Sequence, residues 1–387
     1  MARVLLGWEL GAGRGHAVRL AGLVRQLEAR GHAVVLAVQQ TGSVPATGEV
    51  WQAPLWPGQI VALARRGLPP PRTMGDILAA LGLGDVAATA GLIGAWDRLL
   101  AATGPDLVVA EFAPGLMLAA KGRVKLLATG NGFSLPPAAM AEFPSSGGGA
   151  ALHDEDVLLG ALNDALGRCG RAPLAALPAI FGADVALPAT FAELDPYRPW
   201  RAGGHGAPAL DGPVPLAGDG DELFVYLTPG APRSAAYFQG LAASGLRVRI
   251  HARDLLPAEA EALRGAGLVA EAEPVPFASI AERSRLLLSH GGLGFVSSAL
   301  LAGLPQAMLP FDMEKQFTAN AVVGLGLGEA MPARDLPADA LAAMLRRLAG
   351  DDALATRCRL AAPDFRARAA RSSEEESMDA IEALLRR

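Results

Sequence analysis

Two doubly wound α/β domains, joined by a linker and facing across a cleft, are the fold class predicted for this 387-residue chain. Three observations predict it. Apolar strand-like runs alternate with helical periodicity in both halves. An aperiodic Gly- and Pro-rich stretch divides the halves. In each half a glycine-rich turn follows a strand and opens a helix. The length is about twice that of a common domain, and a 51% hydrophobic, 19% charged composition suffices for two buried cores.

The first half begins with ARVLLGW (2–8), a strand-like run. Residues 16–30 then carry Leu20, Leu23, Val24 and Leu27 at i, i+3, i+4 and i+7, the apolar stripe of an amphipathic helix. Gly31 stands where a left-handed glycine would end it. AVVLAV (33–38), PDLVVAEF (105–112) and VKLLAT (124–129) are short continuous apolar runs, as in strands covered on both faces. Residues 40–104 and 131–190 are rich in Gly, Pro, Trp and Phe and read as loops and irregular helices.

DPYRPWRAGGHGAPALDGPVPLAGDGD (195–221) has no periodicity and many Gly and Pro, the composition of an interdomain connection. A second alternating set follows. Strands are expected at 223–228, 246–252, 267–271, 285–290 and 305–310, with helices near 234–243, 257–265 and 294–302. The tail, 337–387, is helical and charged. The expected division is an N-terminal domain over 1–200, a linker over 201–221 and a C-terminal domain over 222–365. A helical tail over 366–387 is expected to pack back on the first domain. Two βαβ series in succession imply two parallel sheets of the doubly wound kind.

Composition narrows the function. The net charge is −5 and no Lys/Arg cluster is dense enough to track a phosphate backbone, which excludes nucleic acid as a partner. Cys169 and Cys358 stand alone, without a CxxC or Cys/His cluster, so neither a disulfide scaffold nor a metal site is expected. The most apolar candidate, VAATAGLIGAW (86–96), is shorter than the roughly 18 residues that span a membrane and runs straight into Asp97 and Arg98. The N-terminal residues lack the anatomy of a signal peptide. A cytoplasmic protein without a membrane span is expected.

GWELGAGRGHAVRL (7–20) poses the first chemical question. A dinucleotide fingerprint needs G-x-G-x-x-G. Here Gly11, Gly13 and Gly15 give G-x-G-x-G, His16 occupies the third glycine's place, and the second strand ends in Gln39 and Gln40 rather than in an acidic residue. Both failures fall on positions that binding requires, so no dinucleotide cofactor is expected. What remains is a loop that delivers one imidazole to a helix N-terminus. A histidine there can act as a general base near physiological pH. Glu111, at the end of PDLVVAEF, stands at the carboxyl edge of the same sheet, where it can orient that imidazole.

RLLLSHGGLGFVSSALLAGLPQAMLP (285–310) reads strand, His-Gly-Gly-x-Gly, helix, then Gly-x-Pro into another strand. Its glycines leave backbone N–H groups at a helix start free to wrap an anion.

These stretches resemble the nucleotide-sugar-dependent glycosyltransferases of GT-B fold, the family 1 type. Their C-terminal signature runs roughly H-G-G-x-G-T-x-x-E-A-L-x-x-G-V-P-x-x-x-x-P-x-x-x-D/E-Q. GRGHAVRLAGLVRQLEARGHAVVLA (13–37), PDLVVAEFAP (105–114) and ATFAELDPYRP (189–199) are similar to the family's opening motif, its P-D-x-x-x-D strand and its approach to the linker. The likeness covers nearly the whole chain with its motifs in order.

The resemblance implies an inverting, metal-independent glycosyl transfer from a UDP- or TDP-sugar, a co-substrate rather than a cofactor, to a small-molecule acceptor. It implies His16 as the base that deprotonates the acceptor and Glu111 as its partner, where the family has Asp. His290 and the amides of Gly291, Gly292 and Gly294 would cradle the donor diphosphate, with Thr228, Gly230 and Arg233 nearby in the TPGAPRS loop. Glu314 falls on the acidic residue that holds sugar hydroxyls, with Lys315 and Gln316 beside it. PVPFAS (274–279), with Pro276 and Phe277, would meet the base.

The chain also departs from the family's pattern. Arg19 stands at a Pro position, Phe295 at Thr, Ser298 at the ribose-gripping Glu and Lys315 at Gln. Trp51, Trp56, Trp96, Asn131, Phe133, Met140 and Phe143 are candidates to line an apolar or aromatic acceptor pocket. Two alternatives stay open: a non-catalytic nucleotide-sugar binder of this fold, and a nucleotide-sugar epimerase.

Overall fold

A computed structural model of the chain describes residues 1–11, 14–44, 48–61, 69–146, 149–228 and 231–387. Gly13 and Gly230 of the motifs above lie outside them. The chain folds into two compact units, residues 1–209 with 371–387, and residues 210–370.

The first unit holds a six-stranded parallel sheet in the order β3-β2-β1-β4-β5-β6. Its strands are β1 (Arg3–Trp8), β2 (Ala33–Val38), β3 (Glu49–Gln52), β4 (Leu107–Glu111), β5 (Lys125–Gly130) and β6 (Val185–Pro188). Helix α1 (Arg14–Ala29) connects β1 to β2. Then come α2 (Pro57–Val61), α3 (Met74–Ala80), α4 (Val86–Thr103), α5 (Pro114–Ala120) and α6 (Glu155–Arg168).

The second unit repeats the plan, in the order β12-β11-β10-β7-β8-β9. Its strands are β7 (Glu222–Leu227), β8 (Arg247–Ala252), β9 (Val269–Glu271), β10 (Ser284–Ser289), β11 (Gln306–Met308) and β12 (Gly328–Ala330). Its helices are α7 (Ala235–Ala243), α8 (Pro257–Gly265), α9 (Phe277–Arg283), α10 (Leu293–Ala302), α11 (Met313–Gly324), α12 (Ala338–Ala349) and α13 (Asp352–Arg368). The last helix, α14 (Ser373–Arg386), belongs to the first unit.

In both sheets the strand order reverses between two central neighbours, β1 and β4 in one and β7 and β10 in the other. Helices leave such a point in opposite directions, which opens a crevice beyond the carboxyl ends of the two strands. The core of the first unit is built on β1 and α1. Val4, Leu6 and Trp8 pack with Leu20, Leu23 and Leu27, and α14 closes the same cluster with Met378, Ile381 and Leu384. Gly31 ends α1 with φ +78°. The His32 amide reaches Leu27 O at 3.0 Å and the Gly31 amide reaches Glu28 O at 2.9 Å, the paired bonds of a Schellman ending.

The structure differs from the sequence expectation in two respects. Residues 40–104 are not all irregular. They hold the 18-residue helix α4, started by Asp85, whose carboxylate accepts from the amides of Ala87 and Ala88, and stopped by left-handed Gly104. Its interior is largely Ala and Gly, so the periodicity rests on a few large residues such as Leu92, Trp96 and Leu99. Likewise α6 occupies 14 residues of the second supposed loop. The short strands β3, β6 and β12 had no apolar run to mark them, because an edge strand needs only one covered side. Among the described residues no helix is long and apolar enough to cross a membrane.

Candidate functional site

In the first unit the chemistry gathers where β1 and β4 end. His16 occupies the first turn of α1, directly after the glycine loop, and Glu111 is the last residue of β4. Nδ1 of His16 lies 2.8 Å from Oε1 of Glu111. Glu111 is 1% exposed. Its burial alone would raise the carboxyl, but the Arg19 guanidinium and the hydrogen bond from His16 outweigh it and hold the group below the usual carboxylate range. An ionised Glu111 only accepts, so Nδ1 of His16 carries the hydrogen and Nε2 carries the lone pair.

The His16 ring stacks with Trp8, at 5.4 Å between centroids, and with Phe112, at 6.1 Å. Phe112 takes a left-handed backbone, φ +46°, which turns the chain sharply after Glu111. Nε2 faces Gly11. A Cβ at that position would stand 2.4 Å from Nε2, and the backbone there has φ +87°. Glycine thus keeps the reactive edge of the imidazole open.

In the second unit His290 follows β10 and is 2% exposed, yet neither ring nitrogen has a hydrogen-bond partner among the described residues. The Thr228 hydroxyl, just beyond β7, is likewise buried without a partner. Two orphaned polar groups thus stand at the ends of the two strands that flank the reversal. A buried polar group in that state awaits a ligand or water. Burial, together with the charges of Lys315 and Arg233, brings the His290 imidazole down to about 4, so it is neutral and offers one N–H donor.

Gly292 is the N-cap of α10, and Gly294, itself exposed, lies in its first turn. Gly291 has φ +85°, and a Cβ there would meet Lys315 O at 3.1 Å. Lys315 Nζ pairs with Asp312 at 2.6 Å and lies 4.9 Å from the centre of the Phe311 ring, which stands edge-on to His290. Arg233 pairs with Asp254 at 2.8 Å. The turn therefore combines a helix N-terminus, two cations and a neutral imidazole, a setting for an anion.

Other expected residues have partners of their own. Gly291 N–H donates to Ser289 Oγ at 3.1 Å. The buried Ser298 hydroxyl donates to Gly294 O at 3.0 Å and so is committed within α10. Gln316 donates to Asn320 at 2.8 Å. Glu314 lies in the first turn of α11. Pro276 is exposed as the N-cap of α9. Phe277 is half-buried, edge-on to Phe295 at 5.6 Å, and packs on the cluster around Phe224.

Of the candidates for an acceptor pocket, Trp56 and Trp96 are fully buried, Phe133, Met140 and Phe143 also lie in the core, and Trp51 is exposed. Asn131 accepts from the Ser134 amide at 2.8 Å, shaping a turn.

Two buried charged residues of the first unit escaped the sequence reading. Arg19 was noted only as a departure from the family's pattern. It is 6% exposed and pairs with Oε2 of Glu111 at 3.4 Å. Its one sequence signal is the i, i+3 spacing from His16, which puts both on one helix face. Glu9, fully buried, accepts from Trp56 Nε1 at 2.7 Å and from the Gly115 amide at 2.9 Å, at the start of α5. Burial raises it to about 7 despite those bonds. Nothing in the stretch WELG marks it as a helix-capping group, because its partners lie far along the chain.

Residues 260–383 match the family described as erythromycin biosynthesis protein CIII-like, C-terminal domain. Over 85 residues the chain is 32% identical to NDP-glycosyltransferase YjiC of Bacillus subtilis (strain 168); the match spans 22% of this chain and 22% of that protein. Among solved structures, CalG4, the calicheamicin glycosyltransferase, superposes with a TM-score of 0.71 at 21% identity, covering 100% of this chain and 98% of the other. Spinosyn rhamnosyltransferase SpnG complexed with thymidine diphosphate gives 0.62 at 16% identity, covering 94% and 96%. The fold is GT-B, with two six-stranded parallel α/β units.

Proposed function

From a GT-B fold with an erythromycin-CIII-like C-terminal domain, we propose that this chain is a glycosyltransferase. It moves a sugar from a nucleoside-diphosphate donor to a hydroxyl of a small-molecule acceptor, with inversion at the anomeric carbon. The observation that carries the reading is the contact of His16 Nδ1 with the ionised, buried Glu111, which leaves Nε2 open over Gly11.

In this reaction Nε2 of His16 takes the acceptor proton as the hydroxyl oxygen attacks the anomeric carbon. The bond from that carbon to the diphosphate breaks, and its electron pair leaves on the phosphate oxygen. Glu111 stabilises the imidazolium that forms. One displacement on the face opposite the leaving group inverts the carbon. The departing diphosphate lies at the N-terminus of α10, against the His290 N–H and the Thr228 hydroxyl. The charges of Lys315 and Arg233 stabilise it electrostatically. A UDP- or TDP-sugar suits this site. The thymidine diphosphate in the SpnG complex makes TDP the first probe.

The test is thermal unfolding with TDP, UDP and GDP, on wild type and on His290→Ala, beside donor turnover by His16→Ala. A ligand at ~100 times its Kd adds about 2.7 kcal/mol of apparent stability. We expect one nucleotide to raise the midpoint of wild type but not of His290→Ala. His16→Ala should keep that shift and lose transfer. Full transfer by His16→Ala would remove the imidazole from the mechanism.

A further inference from the structure

Glu9 is wholly buried, and the transfer reaction above leaves its carboxylate without a task. It stands in the loop from β1 to α1, two residues before Gly11. Helix α5 starts two residues after Phe112 with all seven of its residues buried, and Ala113 and Pro114 bring no side-chain acceptor for its first amides. Buried amides at a helix start need partners. Glu9 supplies them from the other loop. Its Oε1 accepts from the Leu116 amide, and its Oε2 accepts from the Gly115 amide at 2.9 Å and from Trp56 Nε1 at 2.7 Å. The backbone adds to the seam, because the Leu10 amide donates to Phe112 O at 3.1 Å.

Three N–H groups converge on two oxygens, and only an ionised carboxylate offers acceptors at both. A carboxamide would turn one of them into a donor facing an N–H. The seam joins the two segments that frame His16. One carries Gly11, whose missing Cβ keeps Nε2 open. The other carries Glu111, which accepts from Nδ1, and Phe112, which stacks on the ring from a left-handed backbone.

We infer that Glu9 is a positioning residue of the transfer reaction: by capping α5 from the β1–α1 loop, it holds the Glu111–Phe112 turn and the Gly11 loop in place around His16. The inference rests on the transfer reaction proposed above with His16 as its base. Loss of the seam lets Glu111 shift against Nδ1, so the imidazole no longer keeps one tautomer and Nε2 no longer presents its lone pair over Gly11. The chemical step then slows while the cradle in the other unit stays as it is.

The experiment records ¹⁵N spectra of histidine-labelled full-length protein at pH 8, where an ordinary imidazole is neutral, with His16→Ala assigning the signal. Wild type should show His16 as the Nδ1–H tautomer. Glu9→Gln should bring in the Nε2–H form. Gly115→Ala should do the same by another route, because its Cβ would stand 2.9 Å from Oε1 and 3.0 Å from Oε2 of Glu9 and push the carboxylate aside with its charge intact. Initial rates with TDP-glucose and UDP-glucose, on benzyl alcohol and 4-methylphenol, should show kcat lower by about 10- to 100-fold in both variants, the scale of a small misplacement at the reacting groups. The Kd for TDP should not change. Ile381→Ala, which weakens the same unit from α14, should keep both the tautomer and kcat.

A wild-type tautomer in both Glu9→Gln and Gly115→Ala overturns the inference, and so does an unchanged kcat. The same losses in Ile381→Ala overturn it too, since they would make Glu9 merely structural. Gly115→Ala decides where Glu9→Gln fails to fold, and the tautomer decides where neither acceptor is turned over. Should His16→Ala keep full transfer, the base assignment fails instead. An inactive His16→Ala beside unchanged Glu9→Gln and Gly115→Ala defeats only the role of Glu9.

Discussion

Glu111 Oε1 accepts from His16 Nδ1 at 2.8 Å across 95 residues of chain. The bond needs the charge as well as the shape of the carboxylate. Glu111→Gln keeps the size but loses the charge, and kcat/KM should fall by about 100-fold or more. The same change strands the buried Arg19, at a cost of about 3–5 kcal/mol. Glu111→Asp keeps the charge on a shorter stem and should fall between. Transfer rates and chemical denaturation of the three proteins check both effects.

Gly11→Ala places a methyl group against Nε2 of His16 on a backbone of φ +87°. Transfer should be nearly lost. Nucleoside-diphosphate binding should persist, because the cradle belongs to the other unit. Stability should drop by about 1 kcal/mol, the scale of a non-glycine residue forced left-handed. Calorimetric titration of TDP beside turnover separates the two effects. Loss of both together would mean that the change unfolds more than the loop.

His290 is held at about 4 by burial and by Lys315 and Arg233, against an ordinary value of 6.5. Between those values the unfolded chain binds a proton that the folded chain refuses. The stability from the neutral imidazole is therefore complete above pH 6.5 and lost as the pH falls towards 4. The loss is on the order of 3 kcal/mol. His290→Gln removes the titration, so its denaturant midpoint should decline less between pH 7 and pH 4.5 than that of wild type. Equal declines would show that other groups control the acid limb.

Ile381 on α14 is fully buried in the β1–α1 core. Ile381→Ala should cost about 2–5 kcal/mol through the lost methyl groups and the cavity left behind. Denaturation followed with and without TDP should show the first unit weakened while TDP still binds. A loss below about 1 kcal/mol would mean that α14 adds little to that core.

The central strands were legible because a parallel strand covered on both faces is a continuous apolar run, as in LLVVA-like stretches on β1, β2 and β4. The edge strands β3, β6 and β12 were not, since short half-covered segments carry no such pattern. His16 and Glu111 could be picked out because the carboxyl end of a strand in a βαβ unit is a place that topology alone makes functional.

By itself the sequence determined the alternation of strands and helices, the left-handed stop at Gly31 and the two turns that open on α1 and α10. Each depends on neighbours within one or two helical turns. Only the tertiary structure decided that Arg19 shares Glu111 with His16 across 92 residues of chain, and that Glu9 accepts from the Gly115 amide across 106 residues. It also decided that Trp56 and Trp96 belong to the core. Those outcomes depend on which distant groups compete for one buried charge, one backbone amide or one apolar surface, and that competition exists only once the chain has folded.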